Sequence, residues 1–212
     1  MTDRKLIHIV DDDDSIRRSV GYMLKTSGYA VETWRSGAAF LKDLRSVEAG
    51  CVLLDVRMPQ IDGLEVQRTM AERGITMPVI IMTGHGEVSV AVQAMKAGAV
   101  DFLEKPFEKT VLIDAIGRAF GRVRFAQGAA AQAASADVII GALTAREREV
   151  LEGLAQGLPN KTIAYDLGIS SRTVEVHRAN LMTKLHVHSL SDALRIAFAA
   201  RMGQKGLTGI NT

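Results

Sequence analysis

The chain has 212 residues, 47% of them hydrophobic and 24% charged, a composition typical of globular proteins and a length sufficient for two domains. A single cysteine excludes a disulfide framework, and no apolar stretch approaches the ~20 residues of a membrane-spanning helix. Residues 1–124 hold 17 Lys and Arg against 17 Asp and Glu, whereas residues 141–212 hold 9 against 6. We expect a cytoplasmic protein whose C-terminal segment has a modest basic excess, which permits nucleic-acid binding without requiring it.

Four short, mainly apolar runs in the N-terminal part end at polar side chains. The runs lie at residues 6–10, 51–54, 78–82 and 100–103. Such runs, separated by helical patterns, indicate strands that are buried on both faces of a parallel sheet. The polar side chains at or just beyond their carboxyl ends are Asp11, Asp12, Asp55, Thr83 and Lys105. Because the sites of open α/β sheets lie outside the carboxyl ends of the strands, we expect these side chains to converge.

Helical patterns alternate with the strands at residues 15–27, 36–44, 62–73, 88–97 and 109–124. Gly28, Gly74 and Gly98 stand where helix C-terminal caps are expected. A further strand near residues 29–34 is the least apolar, which predicts a position towards an edge. The alternation predicts an α/β domain over residues 1–124, a (βα)5 doubly wound parallel sheet with helices on both faces.

The C-terminal part has a different pattern. Residues 125–140 are predicted to be a linker, because residues 126–136 contain seven alanines and no charge. Short helices then predict a small all-α domain of four helices over residues 141–203, followed by a flexible tail over residues 204–212.

Local signals place the helices of this second domain. Thr144 to Glu147 and Ser189 to Asp192 are predicted capping boxes, and Asn160 is a predicted cap for a helix over residues 161–167. A glycine-containing turn separates that helix from one over residues 171–185. Two short helices joined in this way predict a helix-turn-helix.

The acidic residues at the strand ends suit a divalent cation. Asp12 and Asp55 are predicted direct ligands of Mg²⁺ or Mn²⁺, which prefer hard oxygen donors. Asp11 is predicted to act through a bound water, and the backbone carbonyl of Arg57 completes the protein's share. A bound cation would relieve the repulsion among the three carboxylates.

The same place suits a phosphoryl group. Asp55 is the predicted nucleophile because it ends the central strand, and a carboxylate can form an acyl phosphate. Thr83 is predicted to hydrogen-bond a phosphoryl oxygen. Lys105 is predicted to supply a point charge and to pair with Asp55 in the resting state. The chemistry is self-directed phosphotransfer and autodephosphorylation at Asp55, so the chain is not expected to be an enzyme.

The residues of this site resemble the receiver domain of two-component response regulators over residues 4–124. The matching segments are Val10-Asp11-Asp12, Asp55-Val56-Arg57-Met58-Pro59, Thr83-Gly84 and Lys105-Pro106-Phe107. The resemblance implies phosphotransfer from a sensor histidine kinase to Asp55 and a cis Lys105–Pro106 bond. It also implies Phe102 as the aromatic that turns inward when Thr83 moves, and dimerisation through residues 88–124. We expect His85 to shade the acyl phosphate.

The helix over residues 171–185 is predicted to be two-sided. Val174, Leu181 and Leu185, with Val176 or Ala179, are predicted to face inward. The opposite surface is polar and suited to base edges, and basic residues at its periphery suit phosphates. The predicted DNA-binding set is Lys161, Arg172, Thr173, Val174, His177, Arg178, Asn180 and Lys184. Glu175 is predicted to hold Arg172 or Arg178, or to accept from a cytosine amine.

Residues 143–200 resemble the LuxR-type helix-turn-helix. The resemblance rests on Leu143-Thr144-Ala145-Arg146-Glu147, Asn160-Lys161, Thr173-Val174, His177 and Lys184-Leu185. Joined to a receiver, it is typical of FixJ-type transcription regulators of the NarL/FixJ group. The implied partners are a sensor kinase, double-stranded promoter DNA, RNA polymerase and a second copy of the chain after phosphorylation, with no membrane.

Three functions are compatible with the residues. The first is a phosphorylation-activated, DNA-binding transcriptional regulator, which we expect. The second is an orphan regulator that binds DNA without phosphorylation. The third is an aspartate-dependent phosphohydrolase, for which Arg57 stands where a second aspartate would serve as acid and base.

Overall fold

A computed structural model describes residues 5–84, 88–124, 136 and 139–203 of the chain. These residues group into two compact units. The first comprises residues 5–84 and 97–124, and the second comprises residues 88–96, 136 and 139–203. The predicted tail and most of the predicted linker lie outside the described residues. None of the described helices combines the length and the apolar character required to cross a bilayer.

The first unit is built on a five-stranded parallel sheet. Its strands are β1 (Leu6–Val10), β2 (Ala30–Trp34), β3 (Cys51–Asp55), β4 (Val79–Thr83) and β5 (Asp101–Glu104). Their order is β2-β1-β3-β4-β5, with every neighbouring pair parallel. The predicted doubly wound α/β fold is therefore confirmed, with β3 central and β2 at an edge. All residues of β1, β3 and β4 are buried, as expected for strands covered on both faces.

Helices follow the strands, and their bounds agree with the predicted ones to within two residues, with the bounds 109–124 predicted without error. They are α1 (Asp14–Lys25), α2 (Gly37–Asp43), α3 (Gly63–Glu72), α4 (Val88–Lys96) and α5 (Lys109–Arg124), of which α4 groups with the second unit. Side chains of Asp13, Ser36 and Asp62 accept backbone N–H bonds at the first turns of α1, α2 and α3. The predicted glycine caps after α1, α3 and α4 all have positive φ angles, between 69° and 98°.

The two faces of the sheet carry different side chains. Ile7 and Ile9 of β1 pack into an apolar cluster with residues of α1 and α5. His8 points to the other face because strand residues alternate. Its ring lies 5.8 Å from the ring of Phe40 in α2, and Phe40 stacks edge-on against Trp34 at 5.5 Å. The backbone carbonyl of Trp34 accepts a hydrogen bond from the N–H of Asp11 at 3.2 Å, which ties β2 to the end of β1.

Within the described residues from 145 onwards, the second unit contains the helices α6 (Ala145–Ala155), α7 (Asn160–Leu167), α8 (Ser171–Lys184) and α9 (Leu190–Ala199). Their shared core is apolar and fully buried, and its members include Val150, Leu151, Leu154, Ile163, Val174, Leu181, Ala193 and Leu194. The helix α7 ends at Gly168 in the left-handed conformation, with φ of 65°, and α8 follows three residues later. This arrangement confirms the predicted helix-turn-helix.

Two of the predicted caps differ in detail. The N-cap of α7 is Pro159, which offers no side-chain hydrogen bond, and Asn160 is the first residue of the helix. The prediction that Asn160 caps α7 is therefore wrong. Ser189 accepts from the N–H of Asp192 at 3.2 Å, but the Asp192 carboxylate binds the Ser189 hydroxyl at 2.6 Å. The box from Thr144 to Glu147 is complete, as predicted.

A close backbone approach fixes the connection from β3 to α3. A Cβ atom on Gly63 would lie 2.2 Å from the backbone oxygen of Asp55, far inside van der Waals contact. The Gly63 N–H donates to the carbonyl of Val56 at 2.9 Å. Only glycine therefore allows the first turn of α3 to pack against the residue that ends β3.

Replacing Gly63 by alanine is expected to lower the free energy of unfolding by about 3 kcal/mol, because one backbone segment has to move. Urea unfolding followed by circular dichroism measures the change. Gly117→Ala is the matched control: its Cβ meets nothing within 4 Å in the middle of α5, so it should stabilise by about 0.5–1 kcal/mol. Equal effects of the two variants would contradict the steric argument.

Candidate functional site

Three aspartates meet at the carboxyl edge of the sheet. Asp11 follows β1, Asp12 is next to it, and Asp55 is the last residue of β3. One carboxylate oxygen from each lies within 4.8 Å of the other two. Asp11 and Asp55 are buried, whereas Asp12 is exposed. The structure therefore brings together the three carboxylates predicted to hold a cation, in a donor set of hard oxygens that suits Mg²⁺.

Lys105 joins two of these carboxylates. It lies one residue beyond β5, and its Nζ atom is 2.7 Å from Oδ2 of Asp11 and 2.6 Å from Oδ1 of Asp55. The predicted pairing with Asp55 is present, and the second bond, to Asp11, was not anticipated. The Lys105–Pro106 bond is cis, as the resemblance implies.

Burial and neighbouring charges shift the pKa values of both Asp55 and Lys105. Burial raises the pKa of Asp55, and the nearby negative charges of Asp11 and Asp12 raise it further, while the bond to Lys105 opposes the shift. Burial opposes the charge on Lys105, but the hydrogen bonds to Asp11 and Asp55 outweigh it and hold the Lys105 pKa above its usual range. The site thus keeps its ammonium charged beside a carboxylate that is costly to ionise.

Asp11 is oriented by contacts that the sequence did not reveal. Its Oδ1 atom accepts from the N–H of Asp13 at 2.8 Å, and its backbone carbonyl accepts from Nη1 of Arg17 at 2.7 Å. Asp13 itself caps α1. The sequence signal that could have revealed the contact between Asp11 and Asp13 is the helix cap at Asp13, because a cap fixes the turn that precedes the helix.

The two predicted switch residues lie on neighbouring strands. Thr83 ends β4 and is buried, and its hydroxyl donates to the carbonyl of Gly84 at 3.2 Å. Phe102 is half-buried in β5, where it pairs in register with Ile81, two residues before Thr83. His85 lies outside the described residues. Arg57 follows Asp55 by two positions with an exposed side chain, and its role as a carbonyl ligand stays a prediction.

The helix α8 has one exposed stripe and one buried stripe. Val174, Leu181 and Leu185 are buried, so the assignment of Val174 to the DNA-binding set is wrong: its side chain belongs to the core. Val176 and Ala179 are exposed, which also corrects the expectation that one of them faces inward. The exposed stripe runs at helical spacing along Arg172, Val176, Ala179, Asn180 and Thr183.

The other predicted DNA-binding residues occupy distinct environments. Lys161 at the first turn of α7 is exposed, and Thr173 and His177 are half-buried. Arg172 pairs with Glu175 at 2.9 Å, one of the predicted outcomes for that carboxylate. Nη1 of Arg178 donates to Oδ1 of Asn160 at 3.1 Å.

Lys184, the last residue of α8, binds the buried carboxylate of Glu147 in the first turn of α6. Its Nζ atom lies 2.8 Å from Oε2 of Glu147, whose side chain is 4% exposed against 39% for Lys184. The same Glu147 oxygen accepts from the N–H of Thr144 at 2.8 Å in the capping box. The hydrogen bond from Lys184 lowers the pKa of Glu147. Lys184 therefore links the end of α8 to the start of α6.

Comparison with known families accounts for both units. The family described as response regulator receiver domain matches residues 7–117, and the bacterial regulatory proteins of the luxR family match residues 141–197. The chain is a response regulator. It carries a receiver domain and a LuxR-type DNA-binding domain, and neither family is an enzyme family.

Relatives of this response regulator match it over nearly its whole length. It is 50% identical to the transcriptional regulatory protein FixJ of Azorhizobium caulinodans, over 92% of each chain. It is 47% identical to FixJ of Rhizobium meliloti, covering 93% of this chain and 97% of that protein. The crystal structure of full-length FixJ from B. japonicum is similar with a TM-score of 0.57 and 44% identity, covering 94% of this chain and 98% of that one. The response regulator is thus FixJ-like in both domains.

Replacing Lys184 by methionine should lower the free energy of unfolding of this response regulator by about 1–3 kcal/mol, because Glu147 would be left buried and charged with one bond fewer. Thermal or urea unfolding measures it. Arg172→Met is the matched control on the same helix: its pair with Glu175 is exposed, so about 0–0.5 kcal/mol is expected. Adding Glu147→Gln should recover part of the Lys184→Met loss, and no recovery would contradict the pairing.

Proposed function

We propose that this response regulator accepts a phosphoryl group on Asp55 from a sensor histidine kinase and, once phosphorylated, binds promoter DNA as a homodimer. The observation that carries the proposal is the buried Asp55 carboxylate, 2.6 Å from the Lys105 ammonium and clustered with Asp11 and Asp12. A carboxylate nucleophile next to a fixed positive charge is what phosphoryl transfer requires, since catalysis there rests on positioning and charge stabilisation.

The donor set fits Mg²⁺ or Mn²⁺. Asp12 and Asp55 would bind the cation directly, and the carbonyl of Arg57 would add a further oxygen. Both oxygens of Asp11 already accept bonds, from the Asp13 N–H and from Lys105, which supports its predicted action through water. When bound, the cation would neutralise negative charge on the incoming phosphoryl oxygens.

The chain's own residues divide the remaining work. A carboxylate oxygen of Asp55 attacks phosphorus while the bond from phosphorus to the kinase imidazole nitrogen breaks, and its electron pair stays on that nitrogen. Lys105 exchanges its bond to Asp55 for one to a phosphoryl oxygen. The Thr83 hydroxyl leaves the Gly84 carbonyl for a second phosphoryl oxygen, and Phe102 turns inward with it. Hydrolysis of the acyl phosphate would return the site to rest.

The exposed stripe of α8 is the proposed base-reading surface. Asn180 offers an amide suited to adenine, and His177 and Thr173 lie about one and two helical turns before it. Val176, which is exposed, offers a methyl surface for thymine. Lys161 and Arg172 would contact phosphates.

Dimerisation, RNA polymerase contact and a cytoplasmic location belong to the same proposal. A single domain with few basic residues gains little DNA affinity from counterion release, whereas two copies on a two-fold site would double the phosphate contacts. Residues 88–124 are the proposed receiver surface for pairing. The proposed domain limits are residues 1–124 and 141–203.

Asp55→Asn should abolish phosphoryl uptake from acetyl phosphate, because the amide is not a nucleophile. Intact-mass measurement of the chain in Mg²⁺ buffer detects the added group. Asp114→Asn, at an exposed position of α5, is the control and should be phosphorylated as the wild type is. Gel shifts with and without acetyl phosphate then distinguish the proposal from an orphan regulator, which would bind DNA equally in both.

Affinity for Mg²⁺ should fall as the pH is lowered towards the raised pKa of Asp55, and the fall should begin at a higher pH than for an ordinary aspartate ligand. The pKa of Asp55 is raised above the ordinary aspartate value, so protons compete for this ligand at a higher pH than usual, by up to about tenfold per unit below that pKa. Isothermal titration calorimetry at a series of pH values measures it. Affinity that is constant with pH, or unchanged in Asp55→Asn, would contradict the assignment of Asp55 as a ligand.

A further inference from the structure

The Arg178 side chain leaves α8 on its core side and contacts α7, the other helix of the helix-turn-helix. Nη1 of Arg178 donates to Oδ1 of Asn160, the first residue of α7, at 3.1 Å. We infer that Arg178 acts in DNA recognition as a positioning residue, which fixes α8 against the start of α7, and does not itself contact a base or a phosphate. The inference rests on the proposed DNA-binding function.

The position of Arg178 around the helix axis supports this role. At about 100° per residue, Arg178 lies roughly 40° from Val174 and 60° from Leu181, and both of these are fully buried. It lies about 160° from Val176, at the centre of the exposed stripe. Its stem therefore leaves the helix on the core side, and it is half-buried. An arginine rooted there reaches solvent only at its tip, which is where Asn160 receives it.

The state of Asn160 supports the inference independently. Six of the other described helices start with a serine, threonine or aspartate side chain that accepts a backbone N–H of the first turn, namely α1, α2, α3, α6, α8 and α9. Asparagine is a residue type that caps helices well, yet α7 begins without a side-chain cap. The side-chain oxygen Oδ1 of Asn160 accepts from Arg178. The amide thus links two helices instead of closing its own.

This link sets the spacing between two proposed DNA-contacting elements. Lys161 follows Asn160 directly and is exposed, and the stripe through Val176 and Asn180 lies on α8. Fixing α7 to α8 near the middle of α8 holds the phosphate contact and the base-reading surface in register. Loss of the bond would let α8 rotate or slide, and specific binding would suffer before non-specific binding does.

The test is a double-mutant cycle in the phosphorylated full-length chain. Arg178→Met, Asn160→Ala and the double variant are titrated against a duplex that the wild type enriches from a random-sequence pool, by fluorescence anisotropy over a series of salt concentrations. Each single variant should weaken binding about 5–10-fold, and the double variant no more than either, because both remove the same link. The slope of log K against log salt should stay at the wild-type value.

The salt slope separates positioning from contact. Lys161→Met is the comparison variant, and losing one phosphate contact should reduce the slope by about 0.9. A similar reduction in Arg178→Met, or single effects that multiply in the double variant, would overturn the inference while leaving the proposed function intact. A wild type that enriches no duplex would overturn both.

Asn160→Ala also guards against a folding defect in the arginine variant. It leaves the Arg178 cation in place, so a direct phosphate contact predicts unchanged affinity for it. Positioning predicts the full 5–10-fold loss with circular dichroism and unfolding midpoint close to those of the wild type. Unchanged affinity of Asn160→Ala would therefore overturn the inference even if Arg178→Met failed to fold.

Discussion

The receiver domain depends on one ammonium held between two buried carboxylates. At an effective dielectric constant of about 20, Coulomb's law gives about 6 kcal/mol of attraction for each of the contacts from Lys105 to Asp11 and Asp55. The repulsion between two carboxylate oxygens no more than 4.8 Å apart is at least about 3.5 kcal/mol at the same dielectric constant. Lys105 therefore holds the pair together. With Asp12 included, three negative charges face one positive charge, and the remaining two negative charges match a divalent cation.

Parallel strands explain why this site was visible in the sequence. The residues Asp11, Asp55, Thr83 and Lys105 are distant along the chain, but each ends a strand or follows one, and all strands of the sheet run the same way. Buried apolar runs mark such strands strongly, so the fold and the convergence of the site followed from pattern alone. The apolar runs did not reveal the close backbone approach that requires Gly63, or the backbone carbonyl of Asp11 that accepts from Arg17.

The helical domain shows the opposite balance. Its helices and the capping box at Thr144 were predictable because caps and periodicity are local. The inward orientation of Val174, Leu181 and Leu185 was also predictable, but the exposure of Val176 and Ala179 was not, since it depends on which face meets α6 and α7. Val174 and Val176 are the same residue type two positions apart, yet Val174 is fully buried and Val176 is 48% exposed. The sequence predicted Arg178 and Lys184 to be DNA-contacting surface residues. In the structure Arg178 donates to Asn160 of α7 and Lys184 donates to Glu147 of α6.

Trp34 gives the molecule a built-in optical reporter. It is the single tryptophan of the chain, it ends the edge strand β2, and its carbonyl holds the N–H of Asp11 beside the acidic cluster. Its indole N–H also lies 3.3 Å from Nδ1 of the buried His8. A rearrangement of the β1–α1 turn would therefore reach the strand that carries the fluorophore through one peptide group, and the intrinsic emission would report it without an added label.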